Sequence, residues 1–256
     1  MIPYLPSLSY PAVEALRARE PIVLLPIGAI EAHGPHLPLE TDTLLSLELA
    51  RRAGRALAEA GRACAIAAPI PFSVAGYASG FAGTLSIPAD TAAALVRDVG
   101  VGLVRMGFLR VCLVNSHLDP AHVAVLKEAT AAIEQATGAQ VAFPDQLEPR
   151  WARTLSDEYK RGACHAGSYE TSLLLASEGG GALVDDAARA ALPPLDVNLA
   201  KAMRAGATRF EEVGATRAYF GDPAAATVAE GEQLYARLVE MVVVTVREAW
   251  PEVGRL

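Results

Sequence analysis

The sequence predicts an α/β fold, a three-layer α/β/α arrangement around a mainly parallel central sheet. Three observations carry that prediction. Short apolar runs of strand length alternate with longer stretches whose apolar residues recur at helical spacing. The runs are apolar on consecutive residues, the pattern of strands covered on both faces. Proline, aspartate and glycine stand between segments as helix start and stop signals. Alternation of this kind builds βαβ units with helices on both faces of the sheet.

In chain order, Ile22–Ile27 reads as the first buried strand. Thr41 to Ala60 follows as a helix, with Leu44, Leu45, Leu47, Leu49 and Ala50 among its apolar residues. Cys64 to Ile70 is the second strand. Asp90 to Met106 is a helix that Pro88 and Asp90 open and Gly107 stops. Phe108 to Val114 is the third strand, Pro120 to Thr137 a helix ended by Gly138, and Gln140 to Phe143 the fourth strand. Val184 to Val213 reads as a loop or hairpin, and Leu234 to Ala249 as a packed C-terminal helix. With no internal repeat and no low-complexity linker, residues 1–256 are expected to form one domain.

Composition narrows the functional classes. A hydrophobic fraction of 52% with 20% charged residues excludes intrinsic disorder. Acidic residues outnumber basic ones 29 to 22, for a net charge of −7, which argues against a nucleic-acid partner. Three cysteines without CxxC spacing make no disulfide framework. The first residues carry neither a basic nor an apolar leader pattern, so the cytoplasm is the expected compartment. Ala63 to Ala89 is uncharged and long enough to span a bilayer. It is broken by Pro69, Pro71, Pro88, Gly76, Gly80 and Gly83, which would leave amides unsatisfied in hydrocarbon. The expectation is a short strand running into a loop packed inside protein, with no membrane span.

Chemistry gathers after the strands. Glu31-Ala-His33 follows the first, and Asp42 opens the next helix; His117-Leu-Asp119 follows the third. Residues at i and i+2 of an extended chain point to one side, so each pair presents two donors together. At the carboxyl ends of parallel strands, where α/β sheets bind ligands, Glu31, His33, Asp42, His117 and Asp119 converge on one crevice. Three buried carboxylates repel unless neutralised, and two divalent cations would do that with Asp42 between them. Nitrogen and oxygen donors without thiolate suit Zn²⁺ or Mn²⁺. His36 is a candidate sixth ligand that reads rather as a structural residue or a support for the ligands, and His122 reads as a surface or supporting residue. Cys64 and Cys112 fall in the apolar strands and read as inert, and Cys164 lacks the basic cluster that activates a nucleophile. In His165-Ala-Gly-Ser-Tyr-Glu170, Ser168 reads as a helix N-cap. Two readings stay open there: Glu170 merely complements the helix dipole, or His165 is an acid/base, with Glu170 orienting it or holding substrate.

The run Leu25-Pro-Ile-Gly-Ala-Ile-Glu31-Ala-His33-Gly-Pro-His36-Leu-Pro-Leu-Glu-Thr-Asp42 resembles the signature of the creatininase (creatinine amidohydrolase) family. Phe81-Ala-Gly-Thr-Leu-Ser86, Val114-Asn-Ser-His117-Leu-Asp119 and His165-Ala-Gly-Ser-Tyr-Glu170-Thr-Ser172 follow in the family's order. The resemblance implies an α/β/α hydrolase of C–N bonds, often a homohexamer, with two divalent ions per chain, Zn²⁺ and/or Mn²⁺. It implies Glu31, Asp42 and His117 as ligands of one ion and His33, Asp42 and Asp119 as ligands of the other. His165 and Glu170 match the family's catalytic motif.

Three departures bear on the substrate. Asp119 stands where the family often has Glu, Ala75 lies where a substrate-contacting Ser is usual, and Ala82 replaces a Pro. They imply a substrate wall unlike that for creatinine. The expected activity is hydrolysis of a non-peptide or cyclic amide in a small molecule. The alternatives are a peptidase of short peptides and a non-catalytic metal-binding scaffold.

Overall fold

The computed structural model describes residues 1–254. In chain order the elements are α1 (Tyr10–Arg17), β1 (Ile22–Ile27), α2 (Thr41–Glu59), β2 (Cys64–Ile66), α3 (Ala89–Arg105), β3 (Arg110–Asn115), α4 (Pro120–Thr137) and β4 (Val141–Ala142). The short helices α5 (Pro149–Ala152) and α6 (Asp157–Arg161) lead to α7 (Ser168–Ala176). Then come α8 (Asp186–Ala190), α9 (Leu199–Arg204) and the long α10 (Val228–Ala249). The sheet has the order β2-β1-β3-β4, and every pairing is parallel.

Strand β1 shows why both faces need helices. Its six residues are all buried. Ile22 and Leu24 pack into one core with residues of α2, α7 and α10. Val23, Leu25 and Ile27 point the other way, into a core built with α3 and α4. The three-layer architecture follows from that two-sided burial.

Several elements differ from the sequence reading. Strand β2 stops at Ile66, because the prolines that follow cannot donate to a ladder, although Ile27 still bridges Ile70. The uncharged loop after it is packed only in its inner half, where Ser73, Ala75 and Ala78 are buried. Its outer half faces solvent, with Leu85 52% exposed. Residues 184–213 contain no hairpin; they form α8, α9 and a 3₁₀ turn, Phe210–Val213, and Asn198 caps α9 by accepting from Lys201 N at 2.7 Å. Helix α10 starts earlier than its apolar stripe, at Val228, where the Thr227 hydroxyl accepts from Glu230 N. The N-cap of α7 is Gly167, with Ser168 the first helical residue. No helix among the described residues is long and apolar enough to cross a membrane.

The topology positions the site. From β1 the chain crosses to β2 on one side and returns to β3 on the other, so a crevice opens between the carboxyl ends of β1 and β3. Gly28 lets β1 run directly against the start of α2, since a Cβ there would lie 2.5 Å from Thr43 N. Ser46 Oγ donates to Ile27 O at 2.5 Å and pins the same contact. Asp42, in the first turn of α2, is thereby held in the crevice beside the residues that follow β1.

Candidate metal centre

Four chain segments meet in the crevice. The loop after β1 brings Glu31, His33 and His36, the first turn of α2 brings Asp42, the end of β3 brings His117 and Asp119, and the turn into α7 brings His165 and Glu170. All eight side chains are buried. Asp42 lies at the centre. Its Oδ1 is 3.3 Å from His33 Nε2 and its Oδ2 is 2.9 Å from His117 Nδ1. Glu31 Oε1 is 3.1 Å from His117 Nδ1, and Glu170 Oε2 is 3.5 Å from His33 Nε2. Three groups have donor atoms within 4.8 Å of one another: Glu31, Asp42 and His117; His33, Asp42 and Glu170; and Glu31, His33 and His165.

Backbone carbonyls set the ring orientations. A carbonyl only accepts, so the imidazole nitrogen facing it carries the proton. His117 Nε2 donates to Val74 O at 2.8 Å, His33 Nδ1 to Glu31 O at 3.0 Å and His165 Nε2 to Ala32 O at 2.9 Å. Each ring therefore turns its other nitrogen toward carboxylates, the arrangement that a backbone carbonyl behind the ring gives metal-binding histidines. Between lone pairs and carboxylate oxygens something positive must sit. His33 Nε2 and Asp42 Oδ2 are buried without a hydrogen-bond partner among the described residues. These oxygen and nitrogen donors fit divalent cations such as Zn²⁺ or Mn²⁺.

Without a cation, protons take that place. Burial alone would lower the basicity of His33, but Asp42, Glu170 and Glu31 outweigh it and push its pKa up to about 10. His117 also rises, against burial, through Glu31 and Asp42. Burial raises the carboxyl groups of Glu31 and Asp42, yet the neighbouring histidines hold both below the usual range. Glu170 is pushed up to about 8 by burial, and His165 down to about 4 by burial and by the charge of His33.

The placement of the sequence-derived residues is uneven. Glu31, His33, Asp42 and His117 converge as expected. The Asp119 carboxylate stands outside all three groups; its Oδ1 accepts from Ala121 N at 2.8 Å and caps α4. Glu170 occupies the position beside His33 and Asp42 that the resemblance implied for Asp119. His36 lies behind His33, its Nε2 at 3.0 Å from Thr171 Oγ1, and burial holds it neutral with a pKa near 4. Cys164 lines the cavity, but burial pushes its thiol up to about 12, which is no nucleophile.

Two supports brace these segments, and the sequence offered one of them as an alternative. Of the two readings of His122, surface or supporting, the structure has the second: it is fully buried, Ser73 Oγ lies 2.5 Å from its Nδ1, and its Nε2 meets Asn115 Oδ1 at 2.8 Å. Asn115 in turn donates to His117 O at 2.7 Å, so the network braces the His117 loop. Glu158, among the charged residues of α6, is buried. Its carboxylate accepts from Tyr169 N at 2.9 Å and Asp222 N at 2.7 Å. A Cβ on Gly167 or Gly221 would collide with it. Glu158 thus ties the turn carrying His165 and Glu170 to the neighbouring segment. Glu158→Ala strands these amides, and thermal unfolding should show a loss of about 2–4 kcal/mol. An unchanged unfolding midpoint would refute that role.

Glu31, His117, His165 and Glu170 line a cavity of about 460 Å³, with Tyr77, Leu118, Leu147, Met203 and Phe210 on its walls. A parallel α/β sheet whose strand ends hold this donor set beneath a substrate-sized cavity defines a class of enzyme, one with a crevice suited to divalent cations. The chain belongs to the creatininase family, whose model, described as creatinine amidohydrolase, it matches over residues 6–246. Among curated relatives, the mycofactocin precursor peptide peptidase of Mycolicibacterium smegmatis is 31% identical over 225 residues, covering 88% of this chain and 83% of that protein. The creatinine amidohydrolase of Pseudomonas putida is 29% identical over 106 residues, 38% of each chain. A mutant creatininase of Zn-Zn type superposes with a TM-score of 0.75 at 21% identity, over 98% of this chain and 99% of its own. A manganese creatininase gives 0.75 at 22%, over 98% and 100%. At such identities the structural likeness establishes the fold. Family and relatives together make the protein a hydrolase acting on C–N bonds.

Proposed function

We propose that the protein is a metal-dependent hydrolase of short peptides. The observation that carries this is the six-residue donor cluster of Glu31, His33, Asp42, His117, His165 and Glu170, of which Glu31, His117, His165 and Glu170 line a cavity with largely apolar walls. The peptide reading takes precedence over the cyclic or non-peptide amide for two reasons. The peptidase relative matches along most of this chain, whereas the creatinine amidohydrolase match covers 38% of it. Ala75, where a substrate-contacting Ser is usual, is fully buried and offers no side-chain hydrogen bond.

In this reading Glu31, Asp42 and His117 hold one cation, and His33, Asp42 and Glu170 hold the second. Such a pair supplies a water of lowered pKa and Lewis-acid polarisation of the amide carbonyl. The chain's own groups do the rest. His165, neutral near pH 7, accepts a proton at Nδ1 as the amide carbon is attacked and returns it to the leaving nitrogen. Ala32 O keeps Nδ1 aimed at the reacting atoms by holding Nε2–H. The apolar walls carry side chains flanking the scissile bond and exclude water.

Elemental analysis after repletion should find two divalent ions per chain, and fewer than one sinks the dinuclear site. Mass spectrometry of peptide digests should show a new free carboxyl terminus. Turnover of cyclic ureides alone would restore the non-peptide reading, and no turnover on any amide would leave the scaffold.

Metal binding must displace protons. Because His33 in the cation-free protein titrates near 10, it is protonated throughout the range below that value, and each pH unit gained there favours the cation. Apparent affinity should rise about tenfold per unit for each proton released between pH 7 and 9. Calorimetry in buffers of different ionisation enthalpy counts the protons, and a count of zero contradicts the ligand role of His33.

The proposal includes a homohexamer and a cytoplasmic location. Leu85 and Leu39, exposed at 52% and 38% on the loops flanking the crevice, are the apolar surface a neighbour would cover. A monomeric mass by light scattering at micromolar concentration would refute assembly, and cell fractionation tests the location.

A further inference from the structure

Two neighbours hold His117 on both its ring and its backbone. Val74 O accepts from its Nε2 at 2.8 Å, while Asn115 accepts from its backbone N at 3.0 Å and donates to its O at 2.7 Å. One further side chain joins those neighbours to each other. His122, fully buried in the first turn of α4, meets Asn115 Oδ1 through Nε2 at 2.8 Å. Through Nδ1 it meets Ser73 Oγ at 2.5 Å, one residue from Val74. The backbone of His117 fixes how the Asn115 amide points, so Oδ1 is an acceptor and His122 Nε2 carries the proton. Burial and the charge at His117 hold His122 neutral, which leaves Nδ1 a lone pair to which the Ser73 hydroxyl donates. Serine, histidine and asparagine in a row suggest a nucleophile, but Ser73 is fully buried and none of the three lines the cavity. The contacts close a ring around His117 instead. On its other edge the Ser73–Ala75 segment is tied to the loop before α3, with Ile87 N donating to Ser73 O and Ala75 N to Ser86 Oγ, each at 3.0 Å. Its hydrogen bond to α4 is the one from Ser73 Oγ to His122.

We infer that His122 is a positioning residue for one of the two cations: it fixes the tautomer and direction of His117, and so the affinity of the ion that Glu31, Asp42 and His117 would hold. This rests on the two-cation reading above. A proton kept at Nε2 by Val74 O leaves the Nδ1 lone pair facing Glu31 and Asp42, whose oxygens lie 3.1 and 2.9 Å away. When that carbonyl shifts, the proton can sit at Nδ1 instead, where it donates to the same carboxylates and competes with a cation. His33 takes its orientation from Glu31 O, outside this ring of contacts, so the second ion keeps its ligands.

Zinc calorimetry, with nitrogen NMR of histidine-labelled protein, tests the assignment. Wild-type protein should take two ions, with His117 bound through Nδ1 and His33 through Nε2. His122→Phe fills the space without either hydrogen bond and should weaken one ion about 100-fold. Ser73→Ala deletes a single oxygen and should weaken the same ion about 10-fold; these are the two ends of the range for outer partners of metal ligands. At zinc levels that saturate the wild type, the bound Nδ1 signal of His117 should fade in both variants while His33 keeps its own. His122→Gln, whose amide supplies a donor and an acceptor, should recover part of the affinity. Wild-type affinity for both ions in Ser73→Ala overturns the role of His122, and it decides alone where His122→Phe does not fold. Equal weakening of both ions, the mark of general loosening, overturns it too. Fewer than two ions in wild-type protein refutes the two-cation reading and this role with it, whereas two ions in wild type and variants alike refutes the role only.

Discussion

Asp42→Ala should lose both cations and, with them, turnover. Asp42 is the one residue common to the Glu31–His117 and His33–Glu170 groups, with one oxygen directed to each. Its removal leaves each proposed ion two protein ligands of three. A lost supporting hydrogen bond already costs about 10–100-fold in metal affinity, so a lost bridging ligand should cost more. Activity should fall by at least ~10³, because both the lowered water pKa and the carbonyl polarisation depend on the cations. Folding should persist. The cost to the first turn of α2 is about 1 kcal/mol of favourable charge–dipole interaction, set against two large cores that the change does not touch. Elemental analysis with circular dichroism checks this. Two ions retained per chain would remove Asp42 from the bridging position.

His165→Ala should keep the metals and lose the chemistry. The ring reaches Glu31 Oε1 only at 3.7 Å, and the five proposed ligands hold both ions without it. Turnover should drop by roughly 10²–10⁴, the range for a missing general acid or base, with ion content near wild type. The ring also packs, tilted, with its centroid 4.5 Å from that of His33 and 4.6 Å from that of Phe210, so some loss of stability accompanies the change. For that reason His165→Gln or His165→Asn is the better partner variant: either refills much of the space yet cannot shuttle a proton near pH 7. Full turnover in any of these variants, or metals lost from all of them, would show that the role given to His165 is wrong.

Local pattern carried much of the fold. Ile22–Ile27 and Pro120–Thr137 are found at the bounds read from periodicity and turn residues, because a continuous apolar run and a Pro-to-Gly bracket each leave one local solution. Periodicity failed where tertiary contacts define the element. Strand β4 has only the two residues that find β3 as a partner, and α9 exists through an asparagine cap and one buried leucine. The same divide runs through the site. Glu31, His33, Asp42 and His117 were legible because each follows or opens an element at the carboxyl end of the sheet, where topology alone makes side chains converge. Glu158 and the partners of His122, Ser73 and Asn115, were not legible. A lone glutamate among charged residues looks solvated, and a histidine early in a helix leaves surface and support equally open, until the whole chain encloses them.

By itself, then, the sequence determined the three-layer sheet, the crevice at the ends of β1 and β3, and the carboxylate and imidazole chemistry that collects there. Tertiary structure alone decided which acid stands at the second group. Asp119 and Glu170 are both acids near a helix start. Asp119 is turned back onto Ala121 N, while α7 is packed so that Glu170 faces His33. That choice depends on how α7 docks against α10 and on the Glu158 carboxylate that holds its first turn, contacts between segments far apart in the chain that no local spacing encodes.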